Sequence, residues 1–218
     1  MMNVELARFN MVEQQIRPWD VLDLRVLNLL DTTPREAFVP KGYENLAFAD
    51  TEIPLGNQEV MLAPKMVGRL VQAADIHESD IVFEVGTGSG YLTALLAKGC
   101  RHVDSADIHE SFIETAQQNL AAQGIENVTL EHRDCAQNIG NDKLYDAIIL
   151  TGSVPFLPNR FQESLQRAGR LVAVVGEGPV MEAILITRIG DNEWSKELLF
   201  ETEIPALHNA EKVDRFTF

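Results

Sequence analysis

The chain has only two cysteines, Cys100 and Cys135, and neither belongs to a C-x-x-C pair. A disulfide framework is excluded, and both read as small buried residues of a reducing compartment. Basic charge is scarce as well. Against 33 Asp and Glu stand 18 Lys and Arg, giving a formal net charge of -15. Nucleic-acid binders neutralise phosphates with Lys and Arg, so no nucleic-acid partner is expected. The thin series Arg160, Arg167 and Arg170 reads as a solvated face. No apolar run approaches the roughly eighteen residues of a membrane span, so no membrane is expected. The first residues, MMNVELARFNMVEQQ, carry charges throughout and lack the apolar stretch of a signal peptide, which points to the cytoplasm. His77, His102, His109, His132 and His208 follow no ligand spacing, so no metal is expected. Without a basic groove, Trp19 and Trp194 read as core or lid packing rather than base-stacking platforms.

What remains is an ordinary globular composition, 45% apolar and 23% charged over 218 residues, enough for one domain with a sizeable core. Leu6, Phe9, Val12 and Ile16 recur at helical spacing and stop at Pro18; a second helix carries Val21, Leu24, Val26, Leu27 and Leu30. A stretch rich in Pro and Gly follows, including PLGNQEVMLAP at 54–64, and then a helix from Pro64. From residue 80 the texture changes. IVFEVG (81–86) is a short apolar run, as for a strand buried on both faces of a parallel sheet. Helices in GYLTALLAKG, SFIETAQQNLAAQG and NRFQESLQRAG alternate with strands in HVDSAD, NVTLEHRD, YDAIILTG and RLVAVVG. AILITRIG and KELLFETEIP, separated by GDNEW, predict an antiparallel hairpin. The expected fold is α/β: a doubly wound, mostly parallel Rossmann-like sheet with a C-terminal hairpin and a helical N-terminal extension. We expect a single domain, residues 1–75 forming the extension with a substrate loop and 76–218 the cofactor-binding core.

The sharpest motif is EVGTGSG at 84–90, directly after a buried strand and directly before a helix. Gly86 permits the tight turn, and Gly88 and Gly90 let backbone approach a ligand. A dinucleotide fingerprint would need Gly where Tyr91 stands. That absence, with Gly90 and the leading Glu84, favours a nucleoside without phosphates. No Gly-Lys-Ser/Thr follows, and Thr87 stands two before Ser89, so a P-loop and a nucleophile elbow are both excluded. Asp107 ends the next strand, where a carboxylate can accept from both ribose hydroxyls, while Asp104 lies mid-strand and points elsewhere. Asp134, beside Cys135, ends the third strand, placed to meet an adenine edge. Either aspartate taken singly could equally cap the following helix; both in register with the glycine loop favour the ligand. Thr151-Gly152-Ser153 lies on the same edge, bordering the reaction centre or forming an ordinary polar turn.

These residues resemble an S-adenosylmethionine-dependent methyltransferase and, more narrowly, the protein-L-isoaspartate O-methyltransferase family. MVEQQI (11–16), TPREAFVP (33–40), AFAD-x-x-IP (47–54), VFEVGTGSGYLTALLA (82–97), YDAIILT (145–151) and AGRLVAVVG (168–176) carry the likeness. The resemblance implies carboxyl methylation of L-isoaspartyl (D-aspartyl) residues of damaged proteins, with a protein or peptide acceptor, S-adenosylhomocysteine as product and a monomer favoured. It also implies a cofactor set of Glu84, Gly86, Thr87, Gly88, Ser89, Gly90, Asp107, Ile108, Asp134, Cys135 and Thr151, and a substrate pocket of Asn57, Gln58, Glu59, Val60 and Leu62. The family carries P-[IL]-G-x-G-Q-T-I-S-x-P at 54–64, with Thr and Ser hydroxyls near substrate and donor. Here Val60 and Leu62 occupy those two positions and Glu59 replaces the Gln. LQRAG stands in place of a Pro-Gly-Gly turn, a loop change. The changes at 59, 60 and 62 bear on the acceptor rather than the donor. Two alternatives therefore stand beside repair: a methyltransferase of the same descent with another, possibly small-molecule, substrate, and a non-catalytic S-adenosylmethionine-binding protein.

Overall fold

The computed structural model describes residues 3–140 and 143–211. At the N-terminus Asn3 caps α1 (Val4–Met11), its side chain accepting from the Leu6 amide at 3.1 Å. The expected straight helix through Ile16 is not what forms. The backbone widens to a π-helical turn over Val12–Ile16, then tightens into a 3₁₀ turn at Arg17–Trp19 and ends on Asp20 at φ 60°. The wider turn rotates the buried face, so Met11, Val12 and Ile16 go inward while Leu6 and Phe9 stay 54% and 56% exposed. Asp23 caps α2 (Leu24–Thr32), which buries Val26, Leu27 and Leu30 and leaves Leu24 exposed at its outer first turn.

The segment 54–64, irregular by sequence, folds as a two-stranded hairpin. β1 (Ile53–Gly56) pairs antiparallel with β2 (Glu59–Met61), Ile53 opposite Met61 and Pro54 opposite Val60. Asn57 and Gln58 form the turn with φ of 53° and 67°, the left-handed pair that matches the twist of a two-residue hairpin. α3 (Pro64–Ala74) begins with Pro in its first turn, as expected, and buries Val67, Leu70 and Val71.

The sheet follows in β3 (Ile81–Val85), β4 (His102–Asp107), β5 (Val128–His132), β6 (Tyr145–Leu150), β7 (Leu165–Val175), β8 (Met181–Gly190) and β9 (Glu193–Thr202). Strand order is β5-β4-β3-β6-β7-β8-β9, parallel through β7 and antiparallel over the last two pairings. β3 is buried on both faces as predicted: Val82 packs with α3 and α4 (Tyr91–Gly99), and Phe83 and Val85 pack on the opposite face. α5 (Glu110–Ala122) precedes a turn at Gly124, φ 67°. Two boundaries differ from expectation. The helix predicted through NRFQESLQRAG is only α6 (Asn159–Glu163), because LQRAG is a bulged start to β7 with Ala168 at φ 63°. The third strand stops at His132, so Asp134 lies in the loop two residues beyond it. No helix among the described residues is long and apolar enough to cross a membrane.

Candidate active site

The carboxyl ends of β3, β4 and β6 open into one cleft of about 920 Å³, counting its mouth. Open α/β sheets place their ligands here, where the strand order reverses between β4-β3 and β6. The chain leaves β3 through Gly86 at φ 96°, whose amide donates to Ala106 O at 2.8 Å. A Cβ at that position would lie 2.0 Å from Thr151 Oγ1. The Thr151 hydroxyl instead donates to Val85 O and Gly86 O at 2.9 and 3.0 Å, tying the end of β6 to the glycine turn. Gly88 donates its amide to Asp107 Oδ2 at 2.9 Å, so the turn is fixed to the end of β4 as well.

Behind this turn is a buried polar chain. Thr93 and Ser105 hydroxyls donate to Glu84 Oε2 at 2.5 and 2.6 Å, and the Thr87 and Ser105 hydroxyls lie 2.6 Å apart. Burial pushes the Glu84 carboxyl up to about 8, against the pull of its two hydroxyl donors. Glu84 is fully buried and does not line the cleft; nor does Gly90, which faces Ala116 of α5. These two stand behind the glycine loop and support it. Gly86, Thr87, Gly88, Ser89, Asp107, Ile108, Asp134, Cys135 and Thr151 do line it. Burial pushes the Cys135 thiol up to about 12, so it stays a neutral, apolar wall. Each aspartate also holds the backbone two residues on, Asp107 Oδ1 accepting from the His109 amide at 2.9 Å and Asp134 Oδ1 from the Ala136 amide at 3.1 Å. Neither caps a helix: α5 has His109 as its N-cap without a side-chain bond, and the next described helix after Asp134 is α6.

The facing wall is the β1–β2 hairpin. Glu59, Val60 and Leu62 line the cleft as expected, joined by Leu55 and Met61. Asn57 and Gln58 form the exposed tip of the hairpin, beyond the cleft surface itself. Sequence reasoning missed the anchor of this wall. Arg35, fully buried, donates to Ala47 O at 2.9 Å and Leu62 O at 2.8 Å, and its guanidinium sits 5.0 Å from the Tyr91 ring. Burial draws the Arg35 pKa down to about 10. Also missed was a C-terminal strap. The Ser153 amide donates to Pro205 O and the Leu207 amide to Ser153 O, both at 2.8 Å, Asn209 Nδ2 donates to Asp134 Oδ2 at 2.7 Å, and Pro205 to His208 thereby border the cleft. His208 Nε2 lies 2.6 Å from Glu59 Oε1, joining strap and hairpin across the mouth.

The sequence model of the protein-L-isoaspartate(D-aspartate) O-methyltransferase family matches residues 8–208. The chain belongs to that family. A protein-L-isoaspartate O-methyltransferase of Rhodopseudomonas palustris is 33% identical over 202 residues, covering 92% of this chain and 93% of its own. One of Methanospirillum hungatei is 34% identical over 184 residues, 84% of this chain and 85% of the relative. Among solved structures, a protein-L-isoaspartate O-methyltransferase of Plasmodium falciparum, in complex with S-adenosyl-L-homocysteine, superposes with a TM-score of 0.78 at 20% identity. It covers 95% of this chain and 99% of its own, which shows the shared fold. As a protein-L-isoaspartate O-methyltransferase family member, the chain keeps the glycine turn, the β4 carboxylate and the hairpin wall in one cleft.

Proposed function

We propose that this protein transfers the methyl group of S-adenosylmethionine to the free carboxylate of L-isoaspartyl (or D-aspartyl) residues in proteins or peptides. The observation that carries the reading is a single cleft whose one side is the glycine turn with Asp107 and whose other side is the β1–β2 hairpin. Family membership over residues 8–208 and relatives of that name over most of the chain support it. S-adenosylmethionine, when bound, would supply a sulfonium methyl group that passes to a carboxylate oxygen, the S–C electron pair leaving with S-adenosylhomocysteine and no proton being transferred. The backbone of residues 86–89 would lie along the donor, Asp107 would accept from its ribose hydroxyls, and Asp134 with Cys135 would border its base. The acceptor is already ionised, so the protein's work is to hold two partners in line and keep water out. Val60, Met61, Leu62 and Leu55 supply that dry wall, and Arg35 fixes its position through the Leu62 carbonyl. Residues 1–75, by this reading, are the acceptor half of one domain and 76–218 the donor half.

Radiolabelled methyl transfer from S-adenosylmethionine to an isoaspartyl peptide, against the matching aspartyl peptide, tests the proposal. Base-labile label is expected on the isoaspartyl peptide alone. Equal or absent labelling by folded protein that still binds S-adenosylhomocysteine would sink isoaspartyl specificity. One observation favours another acceptor of the same chemistry: the apolar Val60 and Leu62 stand where the resemblance implies hydroxyls.

A further inference from the structure

Five histidines follow no ligand spacing along the chain, yet the fold gathers two of them with a carboxylate at the cleft mouth. Glu59 comes from β2, His109 from the turn after β4, and His208 from the C-terminal strap. One ligand atom from each, a carboxylate oxygen and two ring nitrogens, lie within 4.8 Å of one another. The two imidazoles stand edge to face, their centroids 5.3 Å apart, and Phe112 braces the His109 ring at 5.1 Å. The backbone of His109 is held by Asp107 Oδ1. The 2.6 Å contact between His208 Nε2 and Glu59 Oε1 pairs those two groups. It leaves His109 Nε2 buried with no partner, a state that costs free energy unless something occupies it.

We propose that Glu59, His109 and His208 form a binding site for a divalent transition-metal ion of the zinc class. Two imidazoles and one carboxylate are a donor set that zinc takes, with a fourth position left to water. Metal–ligand distances of about 2.0–2.2 Å put tetrahedral ligand atoms roughly 3.4 Å apart. The 2.6 Å Glu59–His208 contact therefore opens and the widest separation, up to 4.8 Å, closes by up to about 1.4 Å, within rotamer shifts of the partly exposed Glu59 and His208 side chains. The surrounding charge of -15 draws cations toward the surface. The ion would join three walls of the cleft, the hairpin through Glu59, the turn after β4 through His109 and the strap through His208. A rival cluster, His77 with Asp75 and Asp80 at 3.9 and 3.7 Å, lacks a second imidazole.

Calorimetric titration of the EDTA-treated full chain with zinc sulfate, alongside thermal melts with and without zinc, tests the site. About one equivalent is expected to bind and to raise Tm, since an ion that binds the folded state stabilises it. His208→Ala and Glu59→Gln should each weaken zinc by about tenfold or more, while His77→Ala and Cys135→Ser leave its affinity unchanged. No binding, affinity indifferent to both His208→Ala and Glu59→Gln, or binding lost in His77→Ala or Cys135→Ser would each overturn the assignment. Glu59→Gln serves should His208→Ala disturb the strap. The titration uses neither methyl donor nor acceptor, so its failure and a failure of the methyl-transfer reading are separate results.

Discussion

Adding one carbon at Gly86 should unseat the donor side of the cleft. Gly86 holds φ 96°, a region that an L side chain occupies at a cost of about 1–3 kcal/mol. The new Cβ would sit 2.0 Å from Thr151 Oγ1, so the threonine must turn away and abandon its bonds to Val85 O and Gly86 O. One hydroxyl proton shared between the two carbonyls is worth about 0.5–1.5 kcal/mol in all. Gly86→Ala should therefore lose about 1.5–4.5 kcal/mol of stability, a fall in Tm of roughly 3–18 °C for a chain of this size. Thr151→Ala alone removes only that shared bond. In the double variant the clash is gone and the bond is counted once, so its cost should fall short of the summed singles by about 0.5–1.5 kcal/mol. Urea unfolding of all four proteins measures the cycle, and S-adenosylhomocysteine calorimetry should show the weakest binding for Gly86→Ala. An additive cycle, or a Gly86→Ala protein within about 0.5 kcal/mol of wild type, would refute the role given to the Thr151 hydroxyl.

Three further outcomes test other parts of the cleft. Burial holds Glu84 near 8 in the folded state against an ordinary 4.5, so the folded protein keeps a proton the unfolded chain has shed. That contribution is fully present below 4.5 and is lost as pH rises through 8, and Glu84→Gln should remove it. A wild-type-minus-variant stability difference that stays constant from pH 5 to about 8.5, in urea titrations, would contradict this. Asp107→Ala should weaken S-adenosylhomocysteine by about 10–100-fold through loss of charge-assisted hydrogen bonds; calorimetry finding less than a threefold change would remove it from the ligand. Val60→Thr with Leu62→Ser should raise isoaspartyl methyl transfer at some cost in stability, because Leu62 is buried. An unchanged rate in that folded double variant would show that the missing hydroxyls do not set the acceptor.

The donor half was legible in sequence because it is local. A buried apolar strand, three glycines and a helix start are contiguous between 81 and 91, and Asp107 ends the very next strand. Period and turn chemistry suffice for such an arrangement. The acceptor half was legible only in its residues. PLGNQEVMLAP shows no clean alternation because its strands span four and three residues, and pairing rather than propensity makes them strands. Leu6 and Phe9 misled for a related reason: a π turn shifts the buried face, and an apolar residue carries no mark of whether a turn holds four residues or five. Glu84 and Gly90 stand behind the loop while Gly86, Thr87, Gly88 and Ser89 line the cleft, since one contiguous motif mixes residues on the cleft surface with those that prop the turn. Arg35 and the 205–209 strap act across 12 to 75 residues of chain, and no periodic signal reports such partners.

The same division between local and distant contacts says how this cleft can change what it accepts. The hairpin reaches the donor side directly, with Leu55 Cδ1 only 3.1 Å from where a Gly88 Cβ would stand. Its position is set by backbone: the Ile53–Met61 and Pro54–Val60 pairings, the left-handed Asn57–Gln58 turn, and the Arg35 bonds to Ala47 O and Leu62 O. None of these depends on which side chains stand at 59, 60 and 62. Substitution there alters the chemistry facing the acceptor without moving the wall against the donor. Val60 and Leu62 in place of hydroxyls, and Glu59 paired with His208, are therefore changes that the cofactor half need not register. The polar side chains on the rest of the cleft, Ser89, Tyr91 and Arg133 among them, stand off the hairpin, so they stay in place when positions 59, 60 and 62 change.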